Sequence, residues 1–367
     1  MTSPPTNPHV NPKATHGDEH GTAPVKTRPL SKWRNPTTLV GGPGPSRPMA
    51  SRLEQLALPL VWLILIVGFS VAMPSTFPTL GNISAILGSQ SLVLFLSLAL
   101  LIPLVAGDYD LSVAYNMGLS AMVLAVLNVH HHWPLLPAMA VVLVVGALLG
   151  LINAAMTITF GIDSLIVTLG TGTFASGITQ WISGSAVVTG VDYSLVDAVA
   201  AGHFLGIPLE FWYGVVACGV LWYVLAYTPT GSRLLFAGRS RTVARLSGIR
   251  VSRIRTGSFV AAGVVSSIAG IVLAGNLDGA DPSAGPTYLL PAFAAAFLGA
   301  TTITPGRFNP WGCFVAIYFL GTGIAGLQLL GLASWIQPLF YGGALVIAVA
   351  FSQIVRGRQA LETGGNS

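Results

Sequence analysis

Ten stretches of this 367-residue chain are apolar over lengths that suit membrane-crossing helices: 56–73, 83–106, 111–129, 135–160, 164–184, 208–227, 257–276, 289–302, 311–330 and 335–355. A hydrocarbon core ~30 Å thick is crossed by roughly 20 helical residues, so these runs set the class before any motif is read. They call for an all-α integral membrane protein with about ten transmembrane helices. Composition agrees, because charged residues make up only 8% of the chain against ~25% in soluble domains, which excludes a soluble enzyme. The eighth run is short, and the second and third are separated only by Gly107, Asp108, Tyr109 and Asp110, so both regions are expected to be broken or re-entrant.

The few charges define a topology. Basic residues stay cytoplasmic, and with ten spans the segments 1–55, 107–110, 161–163, 228–256, 303–310 and 356–367 share one side and contain all 17 Lys and Arg. Both termini are therefore expected in the cytoplasm. The opposite side carries Asp192, Asp197, Asp278 and Asp281, with Glu210 at the outer end of the sixth span. Residues 1–55 are rich in Pro, His and basic residues without apolar periodicity and read as a disordered cytoplasmic tail. Residues 56–355 form the membrane domain, and 356–367 a second cytoplasmic tail. The first apolar run begins too late for a secretory signal, so no cleavage is expected.

Small residues recur within the spans, as in Gly146 to Gly150, Gly170 to Gly177 and Ala262 to Gly270, a spacing that lets helix backbones approach closely. Cys218 and Cys313 lie in separate apolar runs and read as packing residues. His130, His131 and His132 are adjacent, so their side chains diverge, and no further ligands complete a metal site. No Gly-Lys dipeptide occurs, so there is no Walker A loop.

The loop 228–256 holds seven arginines and no acid. Lipid attraction would account for about 1 kcal/mol per base near an anionic surface. The sharper reading is a docking element for an acidic groove on a cytoplasmic partner: Ser240 to Leu246 forms a short amphipathic helix, ended by Gly248 as its C-terminal cap.

This loop, the stretch from Ala262 to Gly312, and the earlier stretches Ala106 to Ala121 and Gly150 to Ile178 resemble, in order and spacing, the permease subunits of bacterial ABC importers for ribose and related monosaccharides. The resemblance implies an ABC importer permease fold in the bacterial inner membrane with a cytoplasmic coupling helix, placing Gly231, Arg239, Arg241, Arg245, Gly248 and Arg250 in the loop that meets the ATPase. It implies partners: two ATP-binding subunits, a periplasmic sugar-binding protein, and a second permease chain expected to be an identical copy. The bilayer is its solvent, and nucleic acid has no part. No catalytic residue, metal or cofactor is implied for this chain, ATP being bound by the partner. Where the family usually has Gly-Gly-Ile-Asp-Leu-Ser-Val-Gly, this sequence keeps Asp110, Leu111 and Ser112 but has Asp108 and Ala114 in place of glycines.

Acids near the membrane are costly and usually functional. Asp110 with Ser112, and Asp163 before Ser164, suit helix capping; the alternative for Asp110 and Ser112 is gating the inner end of a pathway. Asn116, Gln180, Trp181, Asn276 and Gln328 could line a sugar pathway or equally join helices. No span carries an acid or His at its middle, which argues against an ion-coupled secondary carrier and for an external energy source. An ABC permease for a nucleoside, signalling molecule or amino acid is the alternative solute assignment.

Overall fold

A computed structural model describes the backbone of residues 49–364 and the side chains of residues 55–350. Most of the expected N-terminal tail lies outside the described residues, as does the end of the C-terminal one. Helix α1 (Met49–Ala72) begins inside the stretch assigned to the tail, and α2 (Leu80–Ser89) and α3 (Ser91–Val105) share the second apolar run. Helices α4 (Ser112–Ala125) and α5 (Leu135–Ala154) end in π-helical turns, and α6 (Ser164–Ser183) follows. After the short α7 (Tyr193–Val196) come α8 (Leu209–Tyr227), α9 (Pro229–Arg239), α10 (Arg241–Leu246) and α11 (Val251–Asn276). The chain ends with α12 (Ala284–Thr287), α13 (Leu289–Gly299), α14 (Pro310–Leu329) and α15 (Ile336–Gly364).

Every expected span is helical in whole or in part. Among the described residues, seven helical stretches are long and apolar enough to cross a membrane, while Ala284–Gly299 and Ile336–Ala350 are shorter. Helix α6 has spanning length, but its Thr, Ser and Gly content makes it less apolar. Two small antiparallel pairs add to the helices: β1 (Val188–Thr189) with β4 (Gly279–Ala280), and β2 (His203–Phe204) with β3 (Ile207–Pro208). The second is closed by Leu205 and Gly206, both at positive φ as a two-residue type I′ hairpin turn requires.

All fifteen residues of α3 are buried, as befits a helix apolar on every side. It is the central post, with α8, α11, α13 and α14 around it. Gly146 and Gly150 of α5 lie against Gly263 and Phe259 of α11, and Gly270 against Met117 and Ser120 of α4, so any Cβ at these glycines would strike a neighbouring backbone or side chain. Close backbone contact substitutes for the hydrophobic driving force that lipid does not provide.

Both regions expected to be irregular are so: α3 ends at Val105 and α4 begins only at Ser112, and α13 has only 11 residues. A further break, not expected, falls at Gln90, after which α3 starts at Ser91. Gly285 of α12 packs on Gly118, the seventh residue of α4. The twelve residues from Gly118 to His130 rise roughly 18 Å along the helix, so α12 lies well short of the C-terminal end of that helical stretch.

Candidate coupling site and solute pathway

The arginine loop is folded rather than extended. Thr228 caps α9, its hydroxyl accepting from the Gly231 N–H at 3.3 Å, with Pro229 at the first helical position. Gly231 is buried where a Cβ would meet the backbone of Val224 and Leu225, which seats α9 on α8. Ser240 caps α10 through the Val243 N–H, and Gly248 at φ +78° follows its end, as expected from the sequence. Helix α9 was not expected: Pro229–Arg239 reads as loop until the Thr-Pro start and the Leu234, Ala237 stripe are taken together. Ala237, Ala244 and Val251 form a small core joining α9, α10 and the start of α11.

The solvent face of this unit has an apolar centre with a basic rim. Leu246 is 85% exposed, and Phe236 and Val243 are also exposed, among exposed Arg233, Arg239, Arg245, Arg250 and Arg253. The remaining two arginines find an acid outside the loop. Arg255, in the second turn of α11 and buried, grips Asp108 with two bonds, Nε to Oδ2 and Nη2 to Oδ1, both 2.7 Å. Arg241 of α10 donates to the same Oδ1 at 2.9 Å and to the Gly107 carbonyl at 3.1 Å. The acid partner sits 133 and 147 positions away, so no local pattern could have revealed it.

The turn that carries Asp108 is held on its other side by α6. The Tyr109 N–H donates to Ser164 Oγ at 3.2 Å and the Leu111 N–H to Thr168 Oγ1 at 3.0 Å. Asp110, directly before the α4 N-cap residue Leu111, accepts from the Ser112 N–H at 3.0 Å and its hydroxyl at 2.6 Å. Ser112 Oγ accepts from Asn153, whose Oδ1 accepts from Thr171. Asp163 likewise accepts from the Leu165 N–H at 2.8 Å. One turn therefore joins α3, α4, α5, α6, α10 and α11.

Burial pushes the Asp110 carboxyl from 3.8 up to about 6, against the Ser112 hydrogen bonds that favour its ionised form. Between roughly pH 4 and pH 6 the folded protein holds a proton that the unfolded chain has released, so this group makes stability fall as pH rises through that window. The melting temperature of the solubilised protein should gain from this group as pH is lowered from about 7 to about 5. Asp110→Asn should remove that part of the pH profile; an unchanged profile would show that Asp110 is not its source.

The expected pathway residues do not form one surface. Asp110 and Ser112 belong to the turn just described. Asn116 is buried in the α4–α11 seam, donating to the Gly263 carbonyl at 2.8 Å and Ser266 Oγ at 2.6 Å. Gln180 and Trp181 are exposed on α6, and Gln328 at the end of α14. Asn276, at the end of α11, donates to both oxygens of Glu210, a buried residue absent from the expected set. Residue type alone could not separate these surroundings, because an amide serves a seam and a channel wall equally well.

A family model described as the permease component of the branched-chain amino acid transport system matches residues 82–349. The chain is similar to the ribose import permease protein RbsC of Haemophilus influenzae, 31% identical over 78% of this chain and 89% of the relative. It is similar to the L-arabinose ABC transporter permease protein AraH of Azospirillum brasilense, 30% identical over 84% and 90%. The autoinducer 2 import system permease protein LsrD of Salmonella paratyphi B is 31% identical over 74% of this chain and 84% of the relative.

Proposed function

The chain belongs to the branched-chain amino acid transport system permease family, and from that membership we propose that it is the membrane-spanning subunit of an ATP-driven monosaccharide importer. It carries no catalytic group of its own in this reading. Two ATP-binding subunits dock on the cytoplasmic face, a periplasmic binding protein delivers the sugar, and two identical permease chains enclose the pathway in the inner membrane. Ribose and arabinose in the names of the relatives support the solute class. The autoinducer 2 permease among them supports a second reading, a small signalling molecule.

The observation that carries the mechanism is the double ion pair of Asp108 with Arg241 and Arg255. An ATPase groove that takes Leu246 and Val243 and faces the arginine rim would push or pull α10. Through Arg241 that movement reaches the turn holding the inner ends of α3 and α4, and through Asp108 it reaches α11. A bidentate guanidinium–carboxylate contact transmits direction as well as force, because its two parallel bonds resist rotation. Alternating access then follows from rocking of helices that are already tied at one point.

Reconstitution with the cognate ATP-binding subunits and binding protein should give sugar uptake that requires ATP hydrolysis. Uptake that persists with an inactive ATPase would overturn the reading. Arg245→Glu reverses a charge that has no ion pair among the described residues. It should weaken ATPase association by about tenfold or more at low salt, less so at high salt, with membrane insertion unchanged.

A further inference from the structure

A groove of about 680 Å³ runs from the docking unit along the membrane helices, between α8 and α11. Both helices pack on α3 but hardly on each other, so Phe95 and Leu98 of α3 form its floor. One wall is the α8 stripe of Val216, Val220 and Val224, spaced by four, with Val216 and Val220 exposed. Gly257, Ala261 and Val265 of α11 make the other, at the same spacing. Gly257 is exposed, and a Cβ there would meet nothing within 4 Å, so small side chains leave the space unfilled.

The lining decides what can enter. Only Tyr213, Thr230, Arg253 and Ser258 are polar in it, and the Tyr213 and Ser258 hydroxyls already donate to backbone carbonyls within the chain. A polyhydroxylated solute would lose its hydrogen bonds to water here without replacement, so the groove is no part of a sugar route. Charge argues against a second copy of this chain. A two-fold contact centred on the groove would bring the same arginine of both copies together at one depth, a like-charge pair that interfaces avoid.

That arginine, Arg253, is the one charged residue of the lining and stands at the end closed by Thr230, Gly231 and Leu234 of α9. It is exposed and makes no ion pair among the described residues. An apolar slot ending in an unpaired guanidinium matches a molecule with an apolar tail and an anionic head. Length agrees: the α8 wall from Tyr213 to Leu225 rises roughly 18 Å, and one leaflet contributes about 15 Å of hydrocarbon, half of the core.

We infer that this groove binds an anionic phospholipid from the leaflet on the docking unit's side, with an acyl chain between α8 and α11 and the phosphate on Arg253. The guanidinium supplies charge-assisted hydrogen bonds to the phosphate. Arg255, two residues further on, grips Asp108, and α9 closes the same end of the groove, so the lipid braces the docking unit against α11. The inference needs only the chain's place in a membrane and no particular solute.

The full chain in nanodiscs of mixed phosphatidylglycerol and phosphatidylcholine tests it without any variant, either lipid in turn carrying a photoactivatable group on its acyl chain. Labelled peptides should include the groove faces of α8 and α11, with phosphatidylglycerol labelling them about fivefold more than phosphatidylcholine, the preference expected from one base at an anionic headgroup. Equal labelling by the two lipids, or phosphatidylglycerol labels confined to other helices, overturns the inference. Arg253→Gln should bring the two lipids to near parity, and a preference that survives it overturns the placement of the phosphate. Gly257→Phe fills the groove from an open position and should abolish labelling of the α8 wall by either lipid; labelling that persists overturns the placement of the acyl chain. A disulfide-linked dimer forming quantitatively through Val220→Cys, with Cys218 and Cys313 buried, would give the groove to a second copy and overturn the lipid.

Discussion

Asp108→Ala should destabilise the folded permease by about 3 to 5 kcal/mol and uncouple what remains, because it strands a buried guanidinium. Arg255 is 9% exposed at the side chain and makes its only ion pair, among the described residues, with Asp108. Removing the carboxylate leaves that charge desolvated with no counterion, a larger loss than the pair itself is worth. The melting temperature of solubilised protein reads the first effect, and uptake per ATP hydrolysed reads the second. Asp108→Leu combined with Arg255→Met removes both charges, so most of the stability should return. Coupling should stay lost, since Arg241 then has no carboxylate to pull on. A single Asp108→Ala variant that melts like wild type would refute the structural role, and a double variant that imports normally would refute the coupling role.

Gly238→Leu should break the second mechanical contact between the docking unit and the membrane helices. A Cβ at Gly238 would collide with the Val105 carbonyl oxygen, and would lie 3.1 Å from Val105 C and 3.2 Å from Ala106 C. These are backbone atoms at the end of α3, which cannot step aside as a flexible side chain could. Gly107, at φ +80°, lies on the same contact, where its own Cβ would come 3.3 Å from the Gly238 carbonyl oxygen. Forcing a side chain between α9 and α3 should cost about 1 to 3 kcal/mol and shift α9 away from the turn. ATP-driven uptake should fall about tenfold or more, ATP hydrolysis falling less. Gly219→Ala in α8 is the control: a Cβ there meets nothing within 4 Å, and uptake and melting should match wild type. Equal uptake by Gly238→Leu and Gly219→Ala would show that the α9–α3 contact carries no coupling.

Much of the architecture is legible because it is written locally. Membrane helices reveal themselves through runs of apolar residues, each of which must satisfy its own backbone within one segment. The α10 helix is readable for a similar reason: Ser240 and Gly248 are its own start and stop signals, a few residues apart. Gln90, by contrast, lies in a run whose apolar flanks conceal an interruption, and it becomes visible as a break only when Gly321 and Tyr341 are seen packed on it. Helix α9 escapes notice because its buried residues face α8, α10 and α11, partners that periodicity within eleven residues does not announce.

The candidate sites divide the same way. Seven arginines in one loop set that segment apart from the rest of the chain from charge alone. Which of them are paired is a matter of long-range contact: the structure ties exposed Arg241 and buried Arg255 to Asp108, and the other five are exposed with no ion pair among the described residues. Asn116 and Asn276 are the same residue type in comparable spans, yet one joins α4 to α11 and the other holds a buried carboxylate.

The sequence by itself determined the solvent, most of the helices and the family, since each follows from residue type and local spacing. Only the tertiary structure decided that Asp108 joins the arginine loop to the membrane helices, and that Glu210 lies buried against Asn276. Both depend on which distant side chains share a desolvated space, and the energy of a buried charge is set by those neighbours rather than by its position along the chain.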